Sequence, residues 1–150
     1  MKKIISLLAI MLLFLLPQSV MAAGTVAQTY VKVTNDVRCL TYTWTADASA
    51  HTVPATDSLW AIDGYVVLVV TNPDDDAAPT DAYDITLTDA DDCDVMGGTL
   101  TDRSDTDSEH AVPKIGNVYG GRWVSGILTL NVSGNSVDSA VGTVAVYIQR

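Results

Sequence analysis

The acidic segment around residues 89–94 contains the residues whose types and spacing most suggest chemistry. Its four carboxylates are Asp89, Asp91, Asp92 and Asp94. Closely spaced carboxylates in a turn supply the oxygen ligands that Ca²⁺ prefers. The segment does not continue as an EF-hand, because Cys93 stands at position five, Asp94 replaces the glycine of position six, and Leu100 replaces the glutamate of position twelve. Ca²⁺ is therefore the only cofactor that the sequence suggests, and the alternative is a set of solvated carboxylates that cap turns.

Catalytic groups do not stand out in this chain. The two histidines, His51 and His110, lie in no H-x-x-x-H pattern, and no Gly-x-Ser-x-Gly elbow marks a nucleophilic serine. A carboxylate pair for glycoside hydrolysis would have to be chosen among many Asp residues and a single Glu. We therefore predict that the protein is not an enzyme and has no catalytic residues.

Two tryptophans are candidates for contact with a subunit or a glycan. Trp60 lies just before Asp63-Gly64, and Trp123 follows Gly120-Gly121, so both stand where predicted strands begin. Aromatic side chains at such positions often combine an apolar body with an exposed edge. The alternative for both is packing in the core or at its rim.

The two cysteines, Cys39 and Cys93, could form a disulfide if the chain is exported to an oxidising compartment. On the chain-entropy model, such a bridge would stabilise the fold by roughly 4 kcal/mol. Sequence alone cannot place the two Cα atoms within bonding distance, so two independent buried thiols remain the alternative.

The first 23 residues have the layout of a secretory signal peptide. Lys2 and Lys3 precede an apolar run from Ile4 to Leu16, and small residues end at Ala23. The run is shorter than the roughly 20 residues that span a bilayer, although an uncleaved anchor is the alternative. We therefore expect export to the periplasm, cell surface or medium, with no membrane association after signal removal.

Composition limits the partners of the remaining domain, residues 24–150. Without Lys2 and Lys3, six basic residues face 18 acidic ones, and the formal net charge moves from −10 to −12. Such a surface repels phosphate backbones, so nucleic-acid binding is not expected. About 127 residues are enough for one domain with its own core.

Alternating apolar residues and frequent turn residues predict an all-β fold. Tyr65–Val70 is continuously apolar, which is typical of a central strand covered on both faces. Gly97-Gly98 predicts a bend before a short strand, and residues 101–110 and 115–121 are predicted to be loops. The main predicted strands are Ala27–Val33, Arg38–Ala46, Tyr65–Val70, Ala82–Thr88, Thr99–Leu100, Val124–Val132 and Thr143–Gln149. With the irregular stretch 52–59, about seven or eight strands predict an antiparallel two-sheet β-sandwich or jelly roll, with an up-and-down barrel as the alternative.

Residues 60–149 resemble a group of small β-sandwich proteins encoded by tailed bacteriophages. The resemblance rests on APTDAYDITLTD (78–89), on DVMGG (94–98) followed by Arg103, and on VSGILTLNVSGNSVDSAVGTVAVYI (124–148). It implies a virion component of the head-decoration, fibre or tail-associated type, without catalytic residues. The signal peptide and the two cysteines depart from that group's usual pattern.

A second resemblance is to chaperone–usher pilins. Such a pilin also has a signal peptide, about 150 residues, two cysteines and an alternating C-terminal strand with a tyrosine near its end, here Tyr147. The resemblance implies that Ala27–Val33 could donate a strand to a neighbouring subunit.

The sequence therefore predicts a non-enzymatic structural or interaction protein that self-associates, and that belongs to a virion if it is phage-encoded. The alternatives are an exported bacterial surface or pilus-like subunit, and a β-sandwich module that binds carbohydrate or Ca²⁺.

Overall fold

The structure of the chain is a computed structural model that describes residues 23–150. Within these residues the fold is all-β, and its antiparallel sheets form a curled half-barrel, which confirms the predicted class. The predicted signal peptide lies outside the described residues, apart from Ala23. No helix among residues 23–150 is long and apolar enough to cross a membrane.

The described chain has eleven strands, of which seven have five or more residues. The strands are β1 (Thr25–Lys32), β2 (Val37–Thr45), β3 (Thr56–Asp57), β4 (Ile62–Pro73), β5 (Asp84–Thr88), β6 (Glu109–Ala111), β7 (Lys114–Ile115), β8 (Val118–Tyr119), β9 (Arg122–Gly126), β10 (Thr129–Ser133) and β11 (Val141–Gln149). The number of longer strands agrees with the predicted seven or eight, although their bounds differ. The other four are pairs or triplets of residues in or beside the irregular stretch 52–59 and the predicted loops 101–110 and 115–121.

A six-stranded sheet contains most of the regular structure. Its strands lie in the order β1-β2-β11-β4-β6, and β9 pairs with the first part of β4 on the same side as β6. The second sheet has the order β3-β10-β5, and β7 and β8 form a separate hairpin. The C-terminal strand β11 therefore lies between β2 and β4, where it holds the middle of the large sheet together.

One buried cluster connects the two sheets. Because side chains alternate along a strand, each strand of the large sheet directs every second residue into this cluster. The large sheet contributes Leu40, Tyr42, Trp44, Ile62, Val66, Val69, Val144, Val146 and Ile148, and the small sheet contributes Ile85, Leu87 and Leu130. Alternation in the sequence predicts that one face of each strand points inward, and the predicted residues, which all belong to this set, are Leu40, Tyr42 and Trp44 of β2, Ile85 and Leu87 of β5, and Val144, Val146 and Ile148 of β11.

Trp44 is the largest side chain in the core, and it depends on a glycine in the neighbouring strand. Gly142 is its register partner on β11, and a Cβ at Gly142 would lie 2.6 Å from the indole. Only glycine leaves room for the indole to lie against the backbone of β11, which explains a glycine in the interior of a central strand.

The predicted strand Val124–Val132 is divided between the two sheets. Gly126 has a φ of +115°, which L side chains rarely adopt, and it ends β9. Leu128 is fully buried at the crossing, and its backbone N–H donates a 3.1 Å hydrogen bond to the hydroxyl of Ser58, which follows β3 of the small sheet. The alternation of apolar residues continues through the break, so periodicity alone predicted one strand.

Three other predictions differ from the structure. β4 is buried on one face only, because Tyr65 is 48% exposed on the other face. Thr99–Leu100 lies in a turn instead of a strand, although Leu100 is buried. The predicted loops 101–110 and 115–121 contain parts of β6, β7 and β8.

We expect Tyr83→Phe to leave the free energy of unfolding unchanged or to raise it by up to about 1 kcal/mol, because the buried Tyr83 hydroxyl has no hydrogen-bond partner in the described chain. Urea unfolding at neutral pH measures the change. Burial raises the pKa of Tyr83 to about 12. As the pH rises above ~10, the Tyr83 hydroxyl therefore loses its proton in the unfolded chain before it does so in the folded chain. The free energy of unfolding of the wild type should fall between pH ~10 and ~12 for this reason, and Tyr83→Phe should not show this part of the decrease.

Tyr42→Phe is the matched control. The Tyr42 hydroxyl is buried like that of Tyr83, but it donates a 2.9 Å hydrogen bond to the carbonyl of Leu128. Removal of the Tyr42 hydroxyl should lower the free energy of unfolding by about 1 kcal/mol at neutral pH. Equal losses in the two variants would contradict the difference in hydrogen bonding.

Candidate functional site

The side of the large sheet that faces away from the core is open, and we call it the outer face. Strand alternation and register define its residues. They are Thr25, Ala27, Thr29 and Val31 of β1; Val37, Cys39, Thr41, Thr43 and Thr45 of β2; Asp63, Tyr65, Leu68, Val70 and Asn72 of β4; and Val141, Thr143, Ala145, Tyr147 and Gln149 of β11. Except for Cys39, these side chains are exposed or half-exposed.

The outer face carries a single acidic side chain, although the chain has 18 acidic residues. That residue is Asp63, which is exposed at the start of β4 on the same side as Tyr65. Most other acidic residues lie in turns and loops. The chain therefore combines a strongly acidic periphery with one extended sheet surface whose only carboxylate, Asp63, lies at its end.

An apolar row crosses the outer face. The register places Val31 beside Cys39, Cys39 beside Tyr147, and Tyr147 beside Leu68. Val31 and Cys39 come from the β1–β2 hairpin, but Leu68 and Tyr147 come from strands distant in sequence, so the row exists only after the sheet has formed. Val31 remains 52% exposed at the edge of the sheet.

Trp123 lies at the end of this face. It is the register partner of Tyr65, and the two rings pack edge to face with centroids 5.1 Å apart. Trp123 is 51% exposed and Tyr65 is 48% exposed. The pair therefore presents a rigid aromatic surface beside the apolar row.

Trp60 lies elsewhere. Its ring stacks on Tyr30 with centroids 5.6 Å apart, and Tyr30 points from β1 toward the core. Next to this stack, the Gln28 side chain donates to the carbonyl of Asp57 and accepts from the N–H of Leu59. Trp60 therefore helps to close the gap between β1 and β3, and the structure does not bring it together with Trp123.

The acidic segment uses its carboxylates within its own turns. Asp89 Oδ1 accepts from the backbone N–H groups of Asp91 and Cys93, at 3.1 and 3.0 Å. Asp94 accepts from the N–H groups of Met96 and Gly98, at 3.0 and 2.6 Å. In the described part of the chain, no three His, Cys, Asp or Glu side chains are grouped so that they could hold a metal ion.

Arg122 holds the same turn from outside. Its guanidinium donates to the carbonyl of Asp94 at 2.7 Å and lies 3.8 Å from Asp89 Oδ2. These contacts support the turn-capping interpretation, and the structure does not gather Asp89, Asp91, Asp92 and Asp94 around one point.

The two cysteines are both free thiols in the structure, so it does not contain the considered disulfide. Cys39 is buried within the apolar row of the outer face, and its Sγ lies 3.6 Å from Thr41 Oγ1. Cys93 is exposed in the turn after β5, which belongs to the other sheet. The two thiols therefore lie on separate elements and in different environments.

We expect a thiol-specific reagent to modify one cysteine rapidly in the native protein and the second only on unfolding, because Cys93 is exposed and Cys39 is buried. The absorbance of the chromophore that the reagent releases gives the number of thiols that have reacted. Cys93→Ser should remove the fast reaction, and Cys39→Ser should keep it. A native, unreduced protein with no reactive thiol before or after unfolding would show that the two residues are paired.

Comparison with protein-family models matches none of them, and comparison with curated proteins gives no significant match. The open outer face, with the Tyr65–Trp123 pair at its end, is the feature of this chain that best fits a functional surface.

Proposed function

We propose that the chain is a non-enzymatic structural protein that self-associates through the outer face, as a subunit of a virion- or prophage-associated assembly. The observation that carries the proposal is the uncovered outer face, whose only carboxylate is Asp63 at its end, in an otherwise acidic chain. The virion part is supported by the sequence resemblance of residues 60–149 alone.

Charge favours a second copy as the occupant of this face. Two molecules with a formal charge of −10 each repel one another when carboxylates meet, and juxtaposed like charges oppose association. Contact through the outer face keeps the acidic turns at the rim of the interface, where salt screens them. A basic partner would instead be expected to bind the acidic turns.

The contacts available on the outer face are those of sheet-on-sheet packing. Two such faces would interdigitate Val31, Leu68 and Tyr147 with their counterparts at a sheet spacing of about 10 Å. The Tyr65–Trp123 pair supplies a preformed aromatic anchor, the kind of residue that dominates interface energies. Threonine side chains fill the remaining rows and can exchange hydrogen bonds across the contact.

The size of the face sets the expected strength. Four strands about 4.8 Å apart, with about seven residues at 3.3 Å each, project an area of roughly 400 Å². A standard stable interface buries about 800 Å² per partner. We therefore expect weak, concentration-dependent association that becomes stable when many copies are held in one assembly.

We also propose that the domain is a two-sheet β-sandwich and that the chain is exported. Buried side chains of the large and small sheets meet in one cluster, which supports a two-sheet β-sandwich. The sequence of residues 1–23 supports export by a cleaved signal peptide.

An exported surface or pilus-like subunit is the second candidate, and the edge position of β1 favours it. β1 pairs with β2 and stands last in its sheet, so one side of its backbone is available for strand addition. Self-association through this edge would extend the sheet without covering the outer face.

A carboxylate placed in the middle of the outer face should weaken the association. Thr43 is an exposed residue of β2 between Ala27 and Thr143, so Thr43→Asp puts two like charges into a face-to-face contact. We expect at least a tenfold weaker association, about 1.4 kcal/mol, measured by sedimentation equilibrium over a range of concentrations. Trp123→Ala should weaken it by a similar factor.

Thr86→Asp is the matched control, because Thr86 is a half-buried residue of β5 that pairs with Asn131 in the small sheet. It adds the same charge to the whole molecule but none to the outer face. Equal weakening by Thr43→Asp and Thr86→Asp would show that total charge, and not this face, controls association. Association that persists in Thr43→Asp would favour the β1 edge.

A further inference from the structure

A groove of about 470 Å³ opens between the Gly97-Gly98 turn, strand β6 and the β7–β8 hairpin. Its volume lies in the range of small-molecule sites. The lining includes Gly98, Thr99, Arg103, Glu109, Lys114 and Tyr119. The groove is separate from the Tyr65–Trp123 pair and involves elements that the self-association proposal does not use.

The wall around β6 is held by an ion pair. Arg103 lies 3.5 Å from Glu109 Oε2, and its other guanidinium nitrogens donate to the carbonyl of Thr101 at 3.0 and 2.8 Å. Glu109 also accepts from the N–H of Ser104 at 2.7 Å. Both side chains are therefore fixed before any ligand enters, and their charges largely cancel.

The opposite wall carries a cation without a carboxylate partner. Lys114 Nζ lies 5.7 Å from the centroid of the Tyr119 ring, and within residues 23–150 it forms no salt bridge. Tyr119 is 65% exposed. Lys114 and Tyr119 are register partners in the hairpin, so the backbone fixes their spacing.

Two glycines shape the floor of the groove. A Cβ at Gly97 would lie 2.0 Å from the carbonyl oxygen of Lys114, so this glycine lets the turn pack directly against β7. A Cβ at Gly98 would have no atom within 4 Å, so the space above Gly98 is open. Its φ of +79° holds the turn in a conformation that favours glycine.

We infer that this groove binds a saccharide that carries a carboxylate, such as a uronic acid unit. Lys114 would pair with the carboxylate, and the ring of Tyr119 would support the apolar face of the sugar. The Glu109 carboxylate and the Thr99 hydroxyl lie in the lining, where they would exchange hydrogen bonds with sugar hydroxyls.

Charge supports an acidic sugar over a neutral one. The lining contains two cations, Arg103 and Lys114, and one carboxylate, Glu109, in a chain whose formal charge without Lys2 and Lys3 is −12. An anion is repelled by most of this surface, and the groove is a place where it finds an uncompensated cation. A bare carboxylate would use Lys114 alone and leave the exposed part of the Tyr119 ring uncovered.

The test is titration of the protein with trigalacturonate, followed by amide shifts in two-dimensional NMR at low ionic strength. We expect saturable shifts at Gly98, Lys114 and Tyr119. Lys114→Met and Tyr119→Ala should each weaken binding about tenfold, and Tyr119→Phe, which keeps the ring, should bind within about twofold of the wild type. Ile115→Thr is the control, because Ile115 is an exposed residue of the same hairpin that is absent from the groove lining.

Each comparison ligand tests one part of the inference. Maltotriose bound as tightly as trigalacturonate would overturn the role of the carboxylate, and propionate bound as tightly would overturn the role of the sugar. No saturable shift up to about 10 mM trigalacturonate would overturn the site itself, since this corresponds to binding weaker than about −2.7 kcal/mol. The spectra of the variants also report whether the hairpin remains folded.

Discussion

One-sided burial of the large sheet is the constraint on which the rest of the structure depends. Strands β2, β4 and β11 direct Leu40, Trp44, Val69 and Val146 into one cluster, to which buried side chains of the small sheet also belong. At roughly 25 cal/mol per Å² of apolar area, burial of these side chains is the main favourable contribution to folding. The Trp44 indole fits because Gly142 leaves space over β11. The opposite side of the sheet is left open. Its side chains do not contribute to the core, so they are available for contacts with another molecule.

Much of the fold could be predicted from local patterns, because strand alternation is visible in the sequence. The inward residues Tyr42, Ile85 and Ile148 follow from period two alone. The division of the predicted strand 124–132 could not be read in this way, because Leu128 keeps the apolar alternation while Gly126 turns the chain into the other sheet. Predicted burial of both faces of β4 was wrong, because an uninterrupted apolar run also suits a sheet with one half-exposed face.

The candidate site was only partly predictable. Trp123 was selected as an exposed aromatic, but its partner Tyr65 and the row from Val31 to Leu68 depend on register between distant strands. The acidic residues of the turn after β5 suggest a cation site in the sequence. In the structure, the carboxylates of Asp89 and Asp94 accept hydrogen bonds from backbone N–H groups of that turn. The informative signal is the scarcity of carboxylates on one face of the large sheet in an acidic chain, and it becomes visible only when alternate residues of several strands are placed side by side.

Salt dependence of self-association tests the central proposal most directly, since the account assigns attraction to the outer face and repulsion to the acidic periphery. Sedimentation equilibrium of the wild-type protein at several concentrations, between about 0.01 and 1 M salt, spans Debye lengths from about 30 to 3 Å. We expect association that strengthens as salt rises, because screening removes repulsion between molecules with a formal charge of −10 and leaves the contact between the outer faces intact. A monomer at every salt and protein concentration, or association that weakens as salt rises, would contradict it.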